Sequence, residues 1–438
     1  MADTFHIYFH TYENFRDRDL LRPRRTAQLP TGQAKLLNMK ILGIETSCDE
    51  TAVCLLEAEG DFGPSFKWKT LGNALTSQAA LHAEFGGVFP NLAKREHAKN
   101  LVPMLQRALQ EADYPPSSRP GLAIARPGLD AILVREPELL SHLIPFLKHH
   151  ERPNIDAMAV TYGPGLEPAL WVGINFAKAL SLAWDVPIVA VNHMEGHIVM
   201  SLMDTGDNSH PNVLQNVRMS GRLADFEFPL LALLISGGHT ELILMKSFGE
   251  YEYIGRTRDD AVGEAFDKVA RLLGLPYPGG PEISRLAAES RREGIPLHAP
   301  TLPRPMLHEK NFDFSFSGLK TAVRRLVEAG ELSDEDRMGI AREFEEAVAD
   351  VLVGKTLRAV EEFGANTVVV GGGVSANTYI RSCLFSQLAA RSSKLLVCPP
   401  EFSTDNAIMI ALAGYFHALN NEFAHPANLS AKGDLKLM

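Results

Sequence analysis

Lys40-Ile-Leu-Gly-Ile-Glu45 runs apolar into the polar stretch Thr46-Ser-Cys-Asp-Glu-Thr51, after which Ala52-Val-Cys-Leu-Leu56 resumes the apolar run. Two short apolar runs around a polar turn read as strand, tip and strand. The same shape returns in the second half of the chain. Leu230-Leu-Ala-Leu-Leu-Ile235 leads into Ser236-Gly-Gly-His-Thr240 and then Glu241-Leu-Ile-Leu-Met245. Two hairpins with polar tips predict a duplicated architecture. Behind them strands alternate with helical stretches: Ala157 to Thr161, a helix over Gly173 to Trp184, then Pro187-Ile-Val-Ala-Val191. That alternation is the α/β signature.

The composition fits this frame. With 438 residues, 45% of them hydrophobic and 22% charged, the chain has room for two or three cores. No run approaches the ~20 apolar residues that a bilayer-spanning helix needs; the best is Pro229 to Ile235. Four cysteines, Cys48, Cys54, Cys383 and Cys398, form no C-x-x-C pair and are too few for a disulfide framework, so a reducing, cytoplasmic setting is expected. A net charge of -10 supplies no global field for a polyanion. A nucleic-acid partner must therefore meet a local basic patch or a second protein.

Outside the repeated pattern, residues 1–38 are aperiodic and hold acids that spoil a transit peptide, which predicts a disordered extension or an upstream mis-start ahead of Met39. Two stretches read as inserted surface excursions: Asp113 to Pro153, with an amphipathic piece at Leu139 to Leu147, and Asp204 to Phe226. Asn406 to Leu419 reads as a helix, with Ser403, Thr404 and Asp405 as cap candidates.

Three groups of residues carry chemistry. His193-Met-Glu-Gly-His197 puts two imidazoles at i and i+4, on one helix face, the spacing that two ligands of one metal ion need. Two histidines on a half-exposed helix give the same spacing. A metalloprotease is disfavoured, because H-E-x-x-H is absent and Glu195 points roughly 200° away from His193 around a helix. Asp405 is the best third ligand, although a cap role explains it equally well. Glycine turns at Ser236-Gly-Gly, Tyr277-Pro-Gly-Gly-Pro281 and Val370-Gly-Gly-Gly-Val-Ser375 let backbone N–H groups approach a nucleotide, and no P-loop or Rossmann fingerprint is present. Asp49 and Glu50, at the first tip, could take a proton or bind a cation. Asp259, Asp260 and Asp267 flank a helix, where one of them could hold ribose hydroxyls.

Together these segments resemble the tRNA N6-adenosine threonylcarbamoyltransferase family, within the superfamily of actin, sugar kinases and heat-shock ATPases. The resemblance runs in order through Gly43-Ile-Glu-Thr-Ser-Cys-Asp-Glu-Thr51, His82-Ala-Glu-Phe-Gly-Gly-Val88, Gly163-Pro-Gly-Leu166, His193 to His197 and Ser236-Gly-Gly-His-Thr240. It continues through Gly263-Glu-Ala-Phe-Asp-Lys268, Phe314-Ser-Phe-Ser-Gly-Leu-Lys320, Gly371-Gly-Gly-Val-Ser-Ala-Asn377 and Thr404-Asp-Asn406. Pro168, Trp171, Asn91 and Ser403 depart from the family's usual residues.

The resemblance implies two actin-like ATPase (ribonuclease H-like) domains facing across a nucleotide-binding cleft, over residues 39–228 and 229–405, with 406–438 packing back on the first. It implies His193, His197 and Asp405 as ligands of one divalent ion per subunit, Fe(2+) before Zn(2+). Leu234, Ile235, Ser236, Gly237, Gly238, Asp267, Gly280 and Asn377 correspond to residues that hold the adenylate, and Asp49 and Glu50 to an acidic pair near the reacting centre. The expected activity is transfer of a threonylcarbamoyl group from L-threonylcarbamoyl-AMP to a tRNA adenosine, and ATP is the other nucleotide to consider. The expected partners are a catalytically silent paralogue and a small ATPase, or a second copy of the chain. A small-molecule kinase or carbamoyltransferase of the same fold is the competing reading. A non-catalytic paralogue is disfavoured, because it would be expected to have lost the three ligands.

Overall fold

Alternation within the first hairpin decides where its side chains go. In the computed structural model, β1 (Met39–Glu45), β2 (Glu50–Glu59) and β3 (Lys67–Ser77) form an antiparallel meander. Met39 and Ile41 face one core, while Leu42 and Ile44 face another. A strand that is apolar at nearly every position has to be covered on both faces. The structure describes residues 38–116, 128–206, 219–295 and 301–437. Apart from its last residue, the expected N-terminal extension lies outside the described residues.

On the free side of β1, β4 (Ala157–Gly163) pairs in parallel, followed by β5 (Ile188–Asn192) in parallel with β4. β6 (Met203–Asp204) and β7 (Ser220–Leu223) extend the opposite edge, beyond β3. The second sheet repeats the plan: β8 (Leu230–Ile235), β9 (Thr240–Ser247) and β10 (Glu250–Arg256) are a meander. β11 (Thr367–Gly371) then lies parallel to β8, and β12 (Lys394–Val397) parallel to β11. The orders are β5-β4-β1-β2-β3-β7-β6 and β10-β9-β8-β11-β12. Setting β6 and β7 aside, each sheet is a three-stranded meander with two parallel strands added beside its first strand. The fold is α/β, with two actin-like units of ribonuclease H-like topology.

The two sheets share a core. Leu230, Ala232 and Leu234 of β8 face the same cluster as Met39 and Ile41, whereas Leu231, Leu233 and Ile235 face a separate one. The shared layer holds the helices His193–Ser201 and Ala407–Leu419. Ala407–Leu419 is apolar around almost its whole circumference, as a helix covered on all sides must be. Its first turn presses on β1, where a Cβ added to Gly43 would stand 2.4 Å from the Ala407 carbonyl oxygen.

Two sequence expectations change. The stretch Asp113 to Pro153 is no surface excursion in its described part, because the helix Pro137–His149 buries Leu139, Leu143, Phe146 and Leu147 in the outer core of the first sheet. Their spacing of four, three and one is one helical face. The stretch Asp204 to Phe226 likewise contributes strand β7 and buries Leu223 and the adjoining Met219. Residues 117–127 and 207–218 of these stretches lie outside the described residues. The helix expected over Gly173 to Trp184 starts earlier, at Glu167. Pro168 therefore sits in a first turn, where its missing N–H costs nothing.

Candidate metal centre and nucleotide cleft

The parallel strands all deliver their carboxyl ends to one region: β1 leads to the Thr46–Asp49 tip, β5 to His193, β8 to Ser236 and β11 to Gly372. In open α/β sheets, ligands bind beyond such ends.

β5 passes into the helix His193–Ser201 without a loop, because Asn192 caps it, its Oδ1 accepting the Met194 N–H at 2.9 Å. His193 thus occupies the first helical position and His197 lies one turn on. The ambiguity at Asp405 is resolved by its neighbour. Asn406 caps the helix Ala407–Leu419, accepting the Met409 N–H at 3.1 Å, which leaves the Asp405 carboxylate free. Asp405 Oδ1 lies 3.3 Å from His193 Nε2 and 3.2 Å from His197 Nε2. The three potential ligand atoms all fall within 4.8 Å of one another.

The first hairpin completes the centre. Glu45 is fully buried, its Oε2 lying 3.1 Å from His193 Nδ1 and accepting the Thr161 hydroxyl at 2.6 Å, and its Oε1 accepting the Ser47 N–H at 2.5 Å. Ser47 Oγ lies 3.2 Å from the same His193 nitrogen. His193 Nδ1–H is thereby directed at Glu45, so that Nε2 faces Asp405. Burial works against the imidazolium of His193, but the charges of Asp405 and Glu45 outweigh it and hold the pKa well above the ordinary histidine value. Burial would raise the pKa of Asp405, yet the two imidazoles hold it far below the carboxylate range. His197 is pushed down by burial, against the pull of its Asp405 hydrogen bond. Two imidazole nitrogens and an ionised carboxylate are a donor set suited to a divalent metal ion, and Glu45 on the far nitrogen of His193 is the outer partner that such ligands use.

Glu45 was legible only as the end of an apolar strand, although a carboxylate closing such a run is itself a signal. His239 was read only as part of a turn. Its pKa falls to about 4 through burial and the charges of His193 and His197, which sets it beside the centre.

Asp49 is buried at the first tip. Burial, then the charges of Asp49 and Asp405, push the Glu50 pKa well above the usual carboxylate range. The Ser77 hydroxyl donates to Glu50 Oε1 at 3.2 Å. Asp49 also acts through its charge on Asp267 and Tyr277, so this tip adjoins both the cluster of His193, His197 and Asp405 and the second unit.

The expected nucleotide residues divide by what they can offer. Leu234 and Ile235 are fully buried and present only backbone to a ligand. Ser236 closes the second tip, its Oγ accepting the His239 N–H at 3.1 Å. Gly237 and Gly238 are exposed, with no atom within 4 Å of where a Cβ would stand, and Gly280 is equally open. Asp267 Oδ1 accepts the Gly279 N–H at 2.7 Å, at the start of the helix Gly279–Glu293. The amide of Asn377 is committed to protein: its Oδ1 accepts the Ile380 N–H, and its Nδ2 donates to Glu345 and Ser284 at 2.7 and 2.8 Å. Asp259 and Asp260 are likewise engaged within the protein. Asp260 pairs with Lys268 and Lys320, and Asp259 accepts from the Ser315 hydroxyl and the Phe316 N–H.

A family model described as TsaD, tRNA N6-adenosine threonylcarbamoyltransferase, matches residues 69–130 and 148–412. A tRNA N6-adenosine threonylcarbamoyltransferase of Chromobacterium violaceum is 41% identical over 394 residues, covering 89% of this chain and 95% of that protein. The chain belongs to the tRNA N6-adenosine threonylcarbamoyltransferase family. The matched range includes His193, His197, Asp405 and all three glycine turns of the second unit, while Asp49 and Glu50 precede it. Among solved structures, full-length HypF in its phosphate- and nucleotide-bound form aligns at 13% identity and a TM-score of 0.44, over 90% of this chain and 57% of that one. The ROK hexokinase of Thermus thermophilus aligns at 14% and 0.37, over 87% and 100%.

Proposed function

We propose that this chain transfers the threonylcarbamoyl group of L-threonylcarbamoyl-AMP to N6 of the adenosine just 3′ of the anticodon, position 37, in tRNAs that read codons beginning with A, with release of AMP. The observation that carries the reading is the cluster His193, His197 and Asp405, which sits in a family member beside the open Gly237-Gly238 turn. In this reading, residues 39–228 and 229–405 are the two units and 406–438 returns to the first.

His193 Nε2, His197 Nε2 and Asp405 Oδ1 would hold one divalent ion per subunit, with Fe(2+) ahead of Zn(2+) for a site of two imidazoles and one carboxylate. Bound there, the ion would supply Lewis-acid stabilisation of negative charge on the carbamoyl and phosphate oxygens. Glu45 fixes the ring of His193. Gly237 and Gly238 let backbone N–H groups reach the adenylate, with Asp267, Gly280 and the Asn377-capped loop on its other side. The adenosine N6 attacks the carbamoyl carbon, the carbon–oxygen bond to phosphate breaks, and AMP leaves with the electron pair. A carboxylate of the first tip, Glu50 or Asp49, accepts the N6 proton. The target base lies in a loop, so it can be splayed out at a smaller cost than a base in a duplex.

The partners in this reading are tRNA together with a silent paralogue and a small ATPase, or a second copy of the chain. All four cysteines are free, in keeping with a cytoplasmic setting, and no described helix is long and apolar enough to cross a membrane.

Nucleoside mass spectrometry after incubation with unmodified tRNA and threonylcarbamoyl-AMP, with and without the companion proteins, tests the reading. Wild type should form threonylcarbamoyladenosine. His193→Ala should lose bound metal and at least about 100-fold in rate. No product from folded, metal-loaded protein under any partner condition would sink the transferase assignment.

A further inference from the structure

The segment between β3 and the helix Pro90–Glu111 carries an exposed aromatic pair that the transfer chemistry leaves unused. Phe85 and Phe89 are 62% and 52% exposed, with ring centroids 6.0 Å apart and planes 25° from parallel. With Leu81, they make three of the seven exposed large apolar side chains among the described residues, all within nine positions of the chain. Burying apolar surface is favourable, so such a concentration on a rigid support marks a binding surface.

The support is rigid for a visible reason. Phe89 N–H donates to His82 Nδ1 at 3.3 Å, which makes His82 Nε2 the protonated nitrogen that donates to Gln78 Oε1 at 3.2 Å. Gln78 Nε2 and the Thr51 hydroxyl in turn donate to His97 Nδ1, at 3.4 and 2.8 Å, and His97 Nε2 donates to the Cys48 carbonyl at 3.0 Å. His82 and His97 are fully buried, and burial drives the His97 pKa down to about 4, so its imidazole stays neutral and its donor and acceptor roles hold. One chain of hydrogen bonds therefore ties the backbone beneath the aromatic pair to the Cys48-Asp49-Glu50 tip.

Between the two rings the chain turns through Gly86, at φ +67°, and Gly87. Arg271, exposed on the helix Val262–Leu272 of the second unit, brings its Nη1 to 3.9 Å from where a Gly86 Cβ would stand. Its guanidinium has no carboxylate partner among the described residues, while its charge reaches Asp267. An open aromatic face beside an unpaired guanidinium whose charge reaches Asp267 offers one group for a base and one for its phosphate.

The geometry points to a nucleotide-stacking platform: Phe85 and Phe89 receive an unpaired base of the RNA substrate's anticodon loop, and Arg271 meets a flanking phosphate. Every base has a π-face, so such a platform tolerates sequence and suits an enzyme that acts on several tRNAs. The inference rests on the transferase reading for the identity of the RNA.

The test is the affinity of the full chain for a fluorescently labelled anticodon stem-loop, with companion proteins present wherever product formation needs them. Phe85→Ala and Phe89→Ala should each weaken binding by about 5- to 100-fold. Phe85→Tyr and Phe89→Tyr should bind as wild type, and KM for threonylcarbamoyl-AMP should not move in any of the four. Arg271→Ala should lower the slope of log affinity against log salt by about 0.7. Unchanged RNA affinity in both alanine variants, or no RNA affinity in wild type, overturns the platform even where product forms. An oligomer that dissociates in Phe85→Ala/Phe89→Ala while RNA affinity holds identifies a protein interface and overturns it too. If RNA affinity falls as expected but wild type makes no product, the platform stands and the transferase reading fails.

Discussion

The two hairpin tips hold equivalent places in equivalent sheets and have opposite chemistry. The tip after β1 is filled with side chains: Glu45, Ser47, Asp49 and Glu50 lie against the cluster of His193, His197 and Asp405, and Glu45 alone accepts from the Ser47 N–H and the Thr161 hydroxyl while facing His193 Nδ1. The tip after β8 is stripped of them, with Gly237 and Gly238 opening on empty space. Duplication supplies two strand ends at one cleft. Only substitution makes one a cradle for charge and the other a bare backbone edge.

That division can be broken from either side. Glu45→Gln keeps the shape of the first tip and removes its charge, so the His193 ring loses the partner that orients it. Metal affinity, measured by competition with a chelator, should fall by about 10- to 100-fold, because outer partners of histidine ligands carry effects of that size. Unchanged affinity in a folded variant would mean that helix packing alone orients His193. At the second tip, a Cβ on Gly238 would have no atom within 4 Å and the residue is exposed, so Gly238→Val should stay within about 0.5 kcal/mol of wild type in stability. If the adenylate is bound where the proposed function puts it, KM for threonylcarbamoyl-AMP should nonetheless rise, by about 10-fold, as a branched side chain occupies that space. A drop in melting temperature with KM unchanged would show that the turn is structural.

The contrast also separates what was legible in the sequence from what was not. Both hairpins were readable because their information is local: apolar runs of strand length around polar turns. The i, i+4 histidines were readable as a pair for the same reason. Asp405 was ambiguous, since a carboxylate before a helix serves as cap or ligand, and only the side chain of Asn406 turning back to Met409 N–H separates the two. The role of Glu45 was hidden because its partners, Thr161 and His193, are brought to it by strand pairing between distant segments. The helix Pro137–His149 showed its amphipathic face in sequence, yet the stretch around it, with Pro115, Pro116, Pro120 and Pro127 ahead of the helix, read as an exposed excursion. The apolar face decided the outcome, because burying it is worth more than the flanking composition.

A second carboxylate sharpens the comparison at smaller cost. Glu241 lies at the start of β9, opposite Leu234, and its Oε2 is enclosed with no hydrogen-bond partner among the described residues, unlike either oxygen of Glu45. Burial lifts its pKa to about 7, against the opposing pull of Arg256 and Lys436. A carboxyl whose folded pKa exceeds its unfolded value binds more protons in the native state between the two, so its contribution favours folding below about pH 4.5 and is lost as pH rises towards 7. Glu241→Gln removes that dependence. Relative to wild type, the variant should be near neutral in stability at pH 4.5 and more stable at pH 8 by on the order of 1 to 2 kcal/mol, after discounting for partial exposure. Urea unfolding of both proteins at the two pH values reads the difference directly. An equal difference at both would show that Glu241 titrates alike in the folded and unfolded states because Arg256 and Lys436 compensate its burial, making the second tip as well satisfied as the first.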